Sequence, residues 1–352
     1  MVGESAQRSP GLPWTLRLVS SAPLPLPMTG LLMAASVLAV YLVFARFSGI
    51  LRGVELAGTP LWQSPQMYFE LVQALLIGYA PVAGIYGLRG TLADLRDLRP
   101  ALACSEVELE RLARGIAATP TSARVGALVL GVALGVAVPF DDAGWTGGQR
   151  PPLGDPQLSW AIFRNGLLFW LFLQAGFVDV LIARRLAEIG ERWARVDLFD
   201  LAPHRPFARR GLRSVLLWMG AVLLVSLMLL APWSGRITIA GLALIVGFAF
   251  SALLLPVRGV HRRILAHKQE ELRRVRERIR EARAALLFGR ETSTAGEGRM
   301  ADLISYEARV SAAATWPFDV PTLLRFTLYV TVGIGSWLGG AIVERLLSLA
   351  LG

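Results

Sequence analysis

Seven apolar stretches, each close to the length an α-helix needs to cross a bilayer, govern what this chain can fold into. They cover residues 28–47, 67–88, 125–140, 158–182, 215–232, 237–256 and 322–347. A helix rises about 1.5 Å per residue, so ~20 mostly apolar residues cover a hydrocarbon core of about 30 Å. The third stretch is the shortest and consists mostly of Gly, Ala, Val and Leu. Trp233-Ser234-Gly235-Arg236 leaves room only for a tight turn between the fifth and sixth stretches, which therefore form a helical hairpin. The first stretch follows a proline-rich lead (Pro23, Pro25, Pro27) and ends in Phe44-Ala45-Arg46-Phe47. That ending lacks the small residues of a signal-peptidase site, so the stretch reads as an uncleaved span.

Composition agrees with this reading. Hydrophobic residues make up 54% of the 352 residues and charged residues 18%, against roughly a quarter charged in an ordinary soluble chain. The expected fold is all-α: a polytopic membrane helix bundle of about seven transmembrane helices. Its expected parts are a cytoplasmic tail (1–27), a six-span bundle with short cytoplasmic helices (28–256), a helical extension and linker (257–321) and a seventh transmembrane helix (322–352).

Basic residues set the expected orientation, because positively charged loops resist translocation. With the N-terminus inside, thirty of the 36 basic residues fall in the tail, in 89–124, in 183–213 and in 257–325. The remaining six (Arg46, Arg52, Arg150, Arg164, Arg236, Arg345) face six outer acids (Glu55, Glu70, Asp141, Asp142, Asp155, Glu344). The net charge of +10 thus lies on the inner face, with the C-terminus out. There it suits anionic lipid headgroups rather than nucleic acid. All but Lys268 of the basic residues are arginine, as in a GC-rich bacterial genome, so a bacterial inner membrane is the expected location.

No loop is long enough for a catalytic domain with its own core. Ser105-Glu106-Val107-Glu108 fits a capping box, and Leu109, Leu112 and Ile116 recur at helical spacing, predicting a short helix under the bundle. Residues 258–287 read as a long charged helix extending the sixth span into the cytoplasm. Leu265, Leu272, Ile279 and Leu286 recur every seven residues, with Val275 and Ala282 between them, an a/d pattern that Lys268 interrupts. Two readings stay open: self-association as a coiled coil, implying a homo-oligomer, or a helix lying on the protein's own cytoplasmic segments. After a Gly/Ser/Thr/Glu linker at 289–298, residues 300–314 predict a second amphipathic helix. Trp316-Pro317-Phe318-Asp319-Val320-Pro321 then returns the chain to the bilayer, with tryptophan at the interface and proline in a first helical turn.

Enzymatic chemistry finds little support. The three histidines (His204, His261, His267) lie outside the apolar stretches and no H-E-x-x-H occurs, which excludes a zinc protease of that type. Gly154-Asp155 sits in a Pro/Gly-rich loop without a second intramembrane aspartate, and Asp141, Asp142 and Asp155 do not have the spacing of a calcium loop. The lone Cys104 excludes an intramolecular disulfide and reads as an apolar filler. No enzyme activity, cofactor or metal is expected.

Ionisable residues in membrane spans are functional candidates because their burial in lipid is expensive. Glu70, Arg164, Asp179, Glu344 and Arg345 qualify. Each sits within two turns of an expected boundary, so each either snorkels to headgroup level or pairs inside the bundle. The seventh span adds a stripe of small, weakly polar residues: Thr327, Thr331, Gly335 and Gly339 every four residues, with Ser336 and Gly340 beside them. Gly131-x-x-x-Gly135 in the third span is a second small face. Such faces bring helices close; on the seventh span the stripe alternatively lines a pore between copies of the chain.

The layout has seven spans, an inner N-terminus, a cytoplasmic extension of the sixth span and a final span ending outside. It resembles the topology of insect odorant and gustatory receptor channels, a resemblance that carries over no functional residues. It implies an oligomeric channel or gated sensor with the last helix central. The alternatives are a small-solute transporter, with its site among spans two, four and seven near Glu70 and Arg164, and a non-transporting scaffold or assembly factor. Gly78, Pro81 and Gly84 would permit the broken second span that a transporter often uses.

Overall fold

The structure, a computed structural model, describes residues 11–51, 60–61, 64–141, 152, 154–228, 236–287, 294–316, 324, 327, 328, 331 and 335. The described elements are helical: α1 (Trp14–Ser21), α2 (Leu26–Phe47), α3 (Pro65–Asp97), α4 (Glu106–Ala117), α5 (Thr121–Asp141), α6 (Pro156–Trp193), α7 (Arg205–Leu227), α8 (Arg236–Leu287) and α9 (Thr294–Ala312), with short 3₁₀ turns at Arg99–Ala101 and Ala202–His204. Among the described residues six helices are long and apolar enough to cross a membrane, as a multi-pass membrane protein requires. They correspond to the first six stretches of the sequence. The seventh stretch lies almost wholly outside the described residues, including Ser336, Gly339, Gly340, Glu344 and Arg345.

Local chemistry sets the helix starts. Ser64 accepts a hydrogen bond from the Met67 N–H at the start of α3, and Asp155 accepts one from the Gln157 N–H at the start of α6. A proline follows each cap, in the first helical position where its missing N–H costs nothing. α4 begins with the expected reciprocal capping box between Ser105 and Glu108. Its C-terminus is closed from another helix: the Arg185 guanidinium donates to the carbonyls of Gly115, Ile116 and Ala118.

The bundle is organised around α3, α6, α7 and α8. α2 packs on α3, and α5 packs along α6. Both outer helices present large exposed side chains, among them Leu31, Leu32, Val40, Leu128, Val129 and Val132, an apolar surface of the kind lipid covers. Close crossings depend on small residues. A Cβ on Gly78 would collide with the Gly30 carbonyl, so α2 and α3 touch backbone to backbone. A Cβ on Gly131 would lie 2.5 Å from the Trp170 backbone, and one on Gly135 would collide with Gly166. The Gly131-x-x-x-Gly135 face therefore seats α5 on α6 within one chain.

Two sequence boundaries require correction. The segment 183–213, read as a cytoplasmic loop, is largely helix: α6 runs on to Trp193 and α7 begins at Arg205, ten residues before the expected fifth span. Arg209, Arg210 and Arg213 of that first stretch of α7 are held by Asp94, Asp97 and Asp179 on other helices, which makes a charged helix start tolerable next to the bundle. The second span is unbroken, since α3 passes through Pro81 without interruption.

One end of the bundle is closed by an apolar cluster drawn from many elements, including Leu16, Leu98, Leu109, Ile116, Ile189, Phe207, Val260 and Val310. A single antiparallel bridge between Leu102 and Ala194 ties the α3–α4 and α6–α7 connections together there. α8, with 52 residues, is ~78 Å long at 1.5 Å per residue, far more than one bilayer crossing uses. Its far half is clasped by α9. Lys268 donates to the Ser311 and Ala313 carbonyls, Tyr306 to Glu271, and Arg276 pairs with Glu307. Along the heptad stripe, Val275 is buried, Leu272, Ile279 and Ala282 are half-buried and Leu265 is exposed, while Leu286 lies in the last turn. α9 of the same chain thus packs against this part of α8.

Candidate functional site

Three ionic clusters, each with at least one buried charge, lie along α3, α6 and α7. The first joins Glu70 and Arg164. Arg164 donates through Nη1 to Glu70 Oε1, Trp160 Nε1 donates to Glu70 Oε2 at 2.9 Å and Gln66 Nε2 to Oε1 at 3.3 Å. The guanidinium also lies over the Phe69 ring, 5.0 Å from its centroid. Glu70 is 2% exposed and Arg164 6%, so neither snorkels; a paired and hydrogen-bonded charge is the form in which burial is tolerable. Tyr41 and Trp160 pack together beside them, ring centroids 5.3 Å apart.

Fifteen residues further along α6, about 22 Å of helix, Asp179 forms the second cluster. Its Oδ1 accepts from Arg210 Nη2, and its Oδ2 accepts from the Ser214 hydroxyl and from Trp218 Nε1, the last at 2.9 Å. Arg210, Ser214 and Trp218 lie at helical spacing on one face of α7, aimed at a single carboxylate. The third cluster closes the same end: Asp94, 1% exposed, accepts from Arg209 Nε and Arg213 Nη1, both at 2.5 Å, and Arg209 also pairs with Asp97.

A cavity with about 40 Å³ of space for water-sized guests opens beside the second cluster. Its wall includes Tyr79 and Gly84 of α3, Asp179 of α6, and Arg210, Ser214 and Trp218 of α7. One water needs roughly 10–15 Å³ on this measure, so the space suits two or three waters or one small ion. Arg210 is 1% exposed, and its Nε and Nη1 have no hydrogen-bond partner among the described residues. Among the described residues no three of His, Cys, Asp and Glu converge as metal ligands would.

The structure thus places Glu70 against Arg164, and Asp179 against Arg210. The arginine is one that sequence reasoning assigned to a loop. Asp94, Arg209, Arg213, Ser214 and Trp218 also went unnoticed. The available signal was spacing: Asp94 and Asp97 share a face of one helix, and Arg209 and Arg213 share a face of another. Thr327, Thr331 and Gly335 are helical and exposed.

No protein-family model, curated protein or solved structure matches the chain.

Proposed function

We propose that the protein is a small-solute transporter of the bacterial inner membrane whose binding site is the cavity between α3, α6 and α7. One observation carries the reading: an ion pair between the buried Arg210 and the half-buried Asp179 stands at the wall of a cavity inside the bundle. Intramembrane charges are costly and mark solute or ion paths. Glu70–Arg164 and Asp94–Arg213 extend the polar interior toward both ends of α3, about 36 Å of helix apart. The N-terminus lies inside, because thirty of the 36 basic residues then face the cytoplasm and its anionic headgroups. Activity of this kind needs no enzyme chemistry.

Reconstitution into liposomes tests this directly. Stopped-flow swelling with acetate, glycerol and alanine should reveal at least one solute entering faster than into protein-free vesicles, and Asp179→Asn should slow it. Equal rates with and without protein for all three would leave the scaffold reading in its place.

An oligomeric channel built on residues 322–347 draws on a different observation, the exposure of Thr327, Thr331 and Gly335 at four-residue intervals on one helical face. Mass measurement in native lipid separates the two: a closed ring of copies favours the channel, a monomer the transporter.

A further inference from the structure

We infer that the cavity between α3, α6 and α7 binds a small neutral molecule that donates a hydrogen bond, an alcohol of about three heavy atoms; its role as a transported solute rests on the transport reading. The donors of the wall are committed. Arg210 Nη2, the Ser214 hydroxyl and Trp218 Nε1 all donate to Asp179, and the Tyr79 hydroxyl donates to the Leu217 carbonyl at 2.6 Å. Arg210 is 1% exposed, with Nε and Nη1 shut off from water, so its guanidinium offers nothing to a guest. Acceptor capacity is what stays open. An ionised carboxylate has about four lone-pair sites; three hydrogen bonds leave Asp179 with one, and its side chain is 16% exposed beside the cavity. The phenolic oxygen of the half-buried Tyr79 keeps a lone pair as well. A guest that only accepts hydrogen bonds, an anion included, meets no donor, whereas one that donates meets Asp179.

Charge separates a neutral donor from a cation. Among the described residues of the wall, Asp179 is the sole carboxylate and Arg210 the sole base, and the two are paired. The wall is therefore formally neutral, and a cation would enter an apolar interior without a counter-charge. Size and the rest of the wall narrow the class further. About 40 Å³ holds roughly three waters. Away from the polar groups the lining is apolar, with Ala80, Ala83, Ala175 and Ala221 leaving the room, as in a site where a few polar groups orient an otherwise apolar guest. A short alcohol meets both conditions, its hydroxyl on Asp179 and its carbon chain against the alanines.

The test uses the full chain in nanodiscs of deuterated lipid, with saturation-transfer NMR reading the methyl protons of three probes of equal heavy-atom count. Ethanol is a neutral donor, acetonitrile is neutral without a donor, and ethylammonium is a donor with a positive charge. Ethanol should give a signal, above that of nanodiscs without the protein, that saturates with concentration. Acetonitrile and ethylammonium should bind about tenfold more weakly or less, since a hydrogen bond to a charged group is worth that much in affinity. Ala83→Leu fills the cavity from α3, and Ala175→Leu fills it from α6, without changing a polar group of the wall; each should abolish the ethanol signal. An acetonitrile or ethylammonium signal as strong as that of ethanol overturns the inference in the wild type alone, whether or not the variants fold. An ethanol signal that survives in a folded Ala83→Leu or Ala175→Leu variant overturns it too. Ethanol binding in a protein that moves no solute upholds it while removing the transport reading. Solute flux with no ethanol signal does the reverse.

Discussion

Arg164 on α6 and Glu70 on α3 form an ion pair sealed inside the bundle, with Trp160 as a second donor to the same carboxylate. Removing one partner of such a pair leaves the other charge buried and uncompensated, at a cost of ~3–5 kcal/mol, whereas replacing both with apolar residues is often close to neutral. Arg164→Ala and Glu70→Leu should therefore each lower the unfolding midpoint in detergent sharply. The double variant Glu70→Leu, Arg164→Met should lose less than either, and the loss that remains reflects Trp160 Nε1 without its acceptor, ~1–3 kcal/mol. Additive losses in the double variant would show that the two charges do not act as a pair.

Two glycines of α5 should respond in opposite directions to the same substitution. A Cβ at position 135 has nowhere to go but into the Gly166 backbone, while one at Gly126 meets nothing within 4 Å among the described residues. Gly135→Ala should destabilise by ~1–3 kcal/mol, as overpacking does. Gly126→Ala should be neutral or stabilising by up to about 1 kcal/mol, because alanine is the better helix former. Thermal unfolding of both variants checks this; a loss of stability at Gly126 equal to that at Gly135 would mean that α5 does not seat on α6 as described.

These glycines also show which parts of the structure were legible in the sequence. Apolar length marked out six helices because a span's hydropathy is a property of the segment itself: residues 28–47 against Leu26–Phe47 differ by two residues at one end. The capping box at Ser105–Glu108 and the small face at Gly131 and Gly135 are likewise local patterns. The α7 start was hidden for the opposite reason. Arg209, Arg210 and Arg213 read as a solvated loop until their partners are known, and those partners, Asp94, Asp97 and Asp179, stand on helices 31 or more residues away. The same holds for Arg210 in the cavity: no hydropathy scale records that an arginine has found an aspartate. The stripe on α8 was ambiguous in a third way, since an a/d row fits any apolar strip offered to it, from a second chain or from α9.

For α8 and α9 the prediction concerns what covers that stripe. Val310 is fully buried, and replacing a buried apolar side chain with a charge that has no partner costs several kcal/mol. Val310→Glu should detach α9 from α8, so that limited proteolysis cuts within 288–316 much faster than in the wild type, with the membrane helices left intact. An unchanged digestion pattern, together with a larger particle mass, would mean that another chain rather than α9 covers the stripe.

Cys104 is the sole cysteine, so it reports orientation without any engineered label. It lies beside the Leu102–Ala194 bridge, at the end of the bundle expected to face the cytoplasm. A membrane-impermeant maleimide should leave it unmodified in intact spheroplasts and modify it in inside-out vesicles. Labelling in intact spheroplasts would invert the whole arrangement, and the anionic headgroups proposed beneath the arginines would have to be sought on the other face. The rate carries a second signature. Burial, ahead of the nearby Glu108 and Glu106 carboxylates, pushes the Cys104 thiol above its ordinary value against the opposing pull of Arg99 and Arg195. Only the thiolate attacks the maleimide. A raised thiol holds less thiolate at neutral pH than a free cysteine does, so labelling should be slower than that of free cysteine at pH 7. Its rate should keep rising with pH beyond the point where the free amino acid levels off. Glu108→Gln removes one of the raising charges and should speed labelling at pH 7, whereas Arg99→Gln should slow it; the opposite order would mean that the thiol does not sit between those charges.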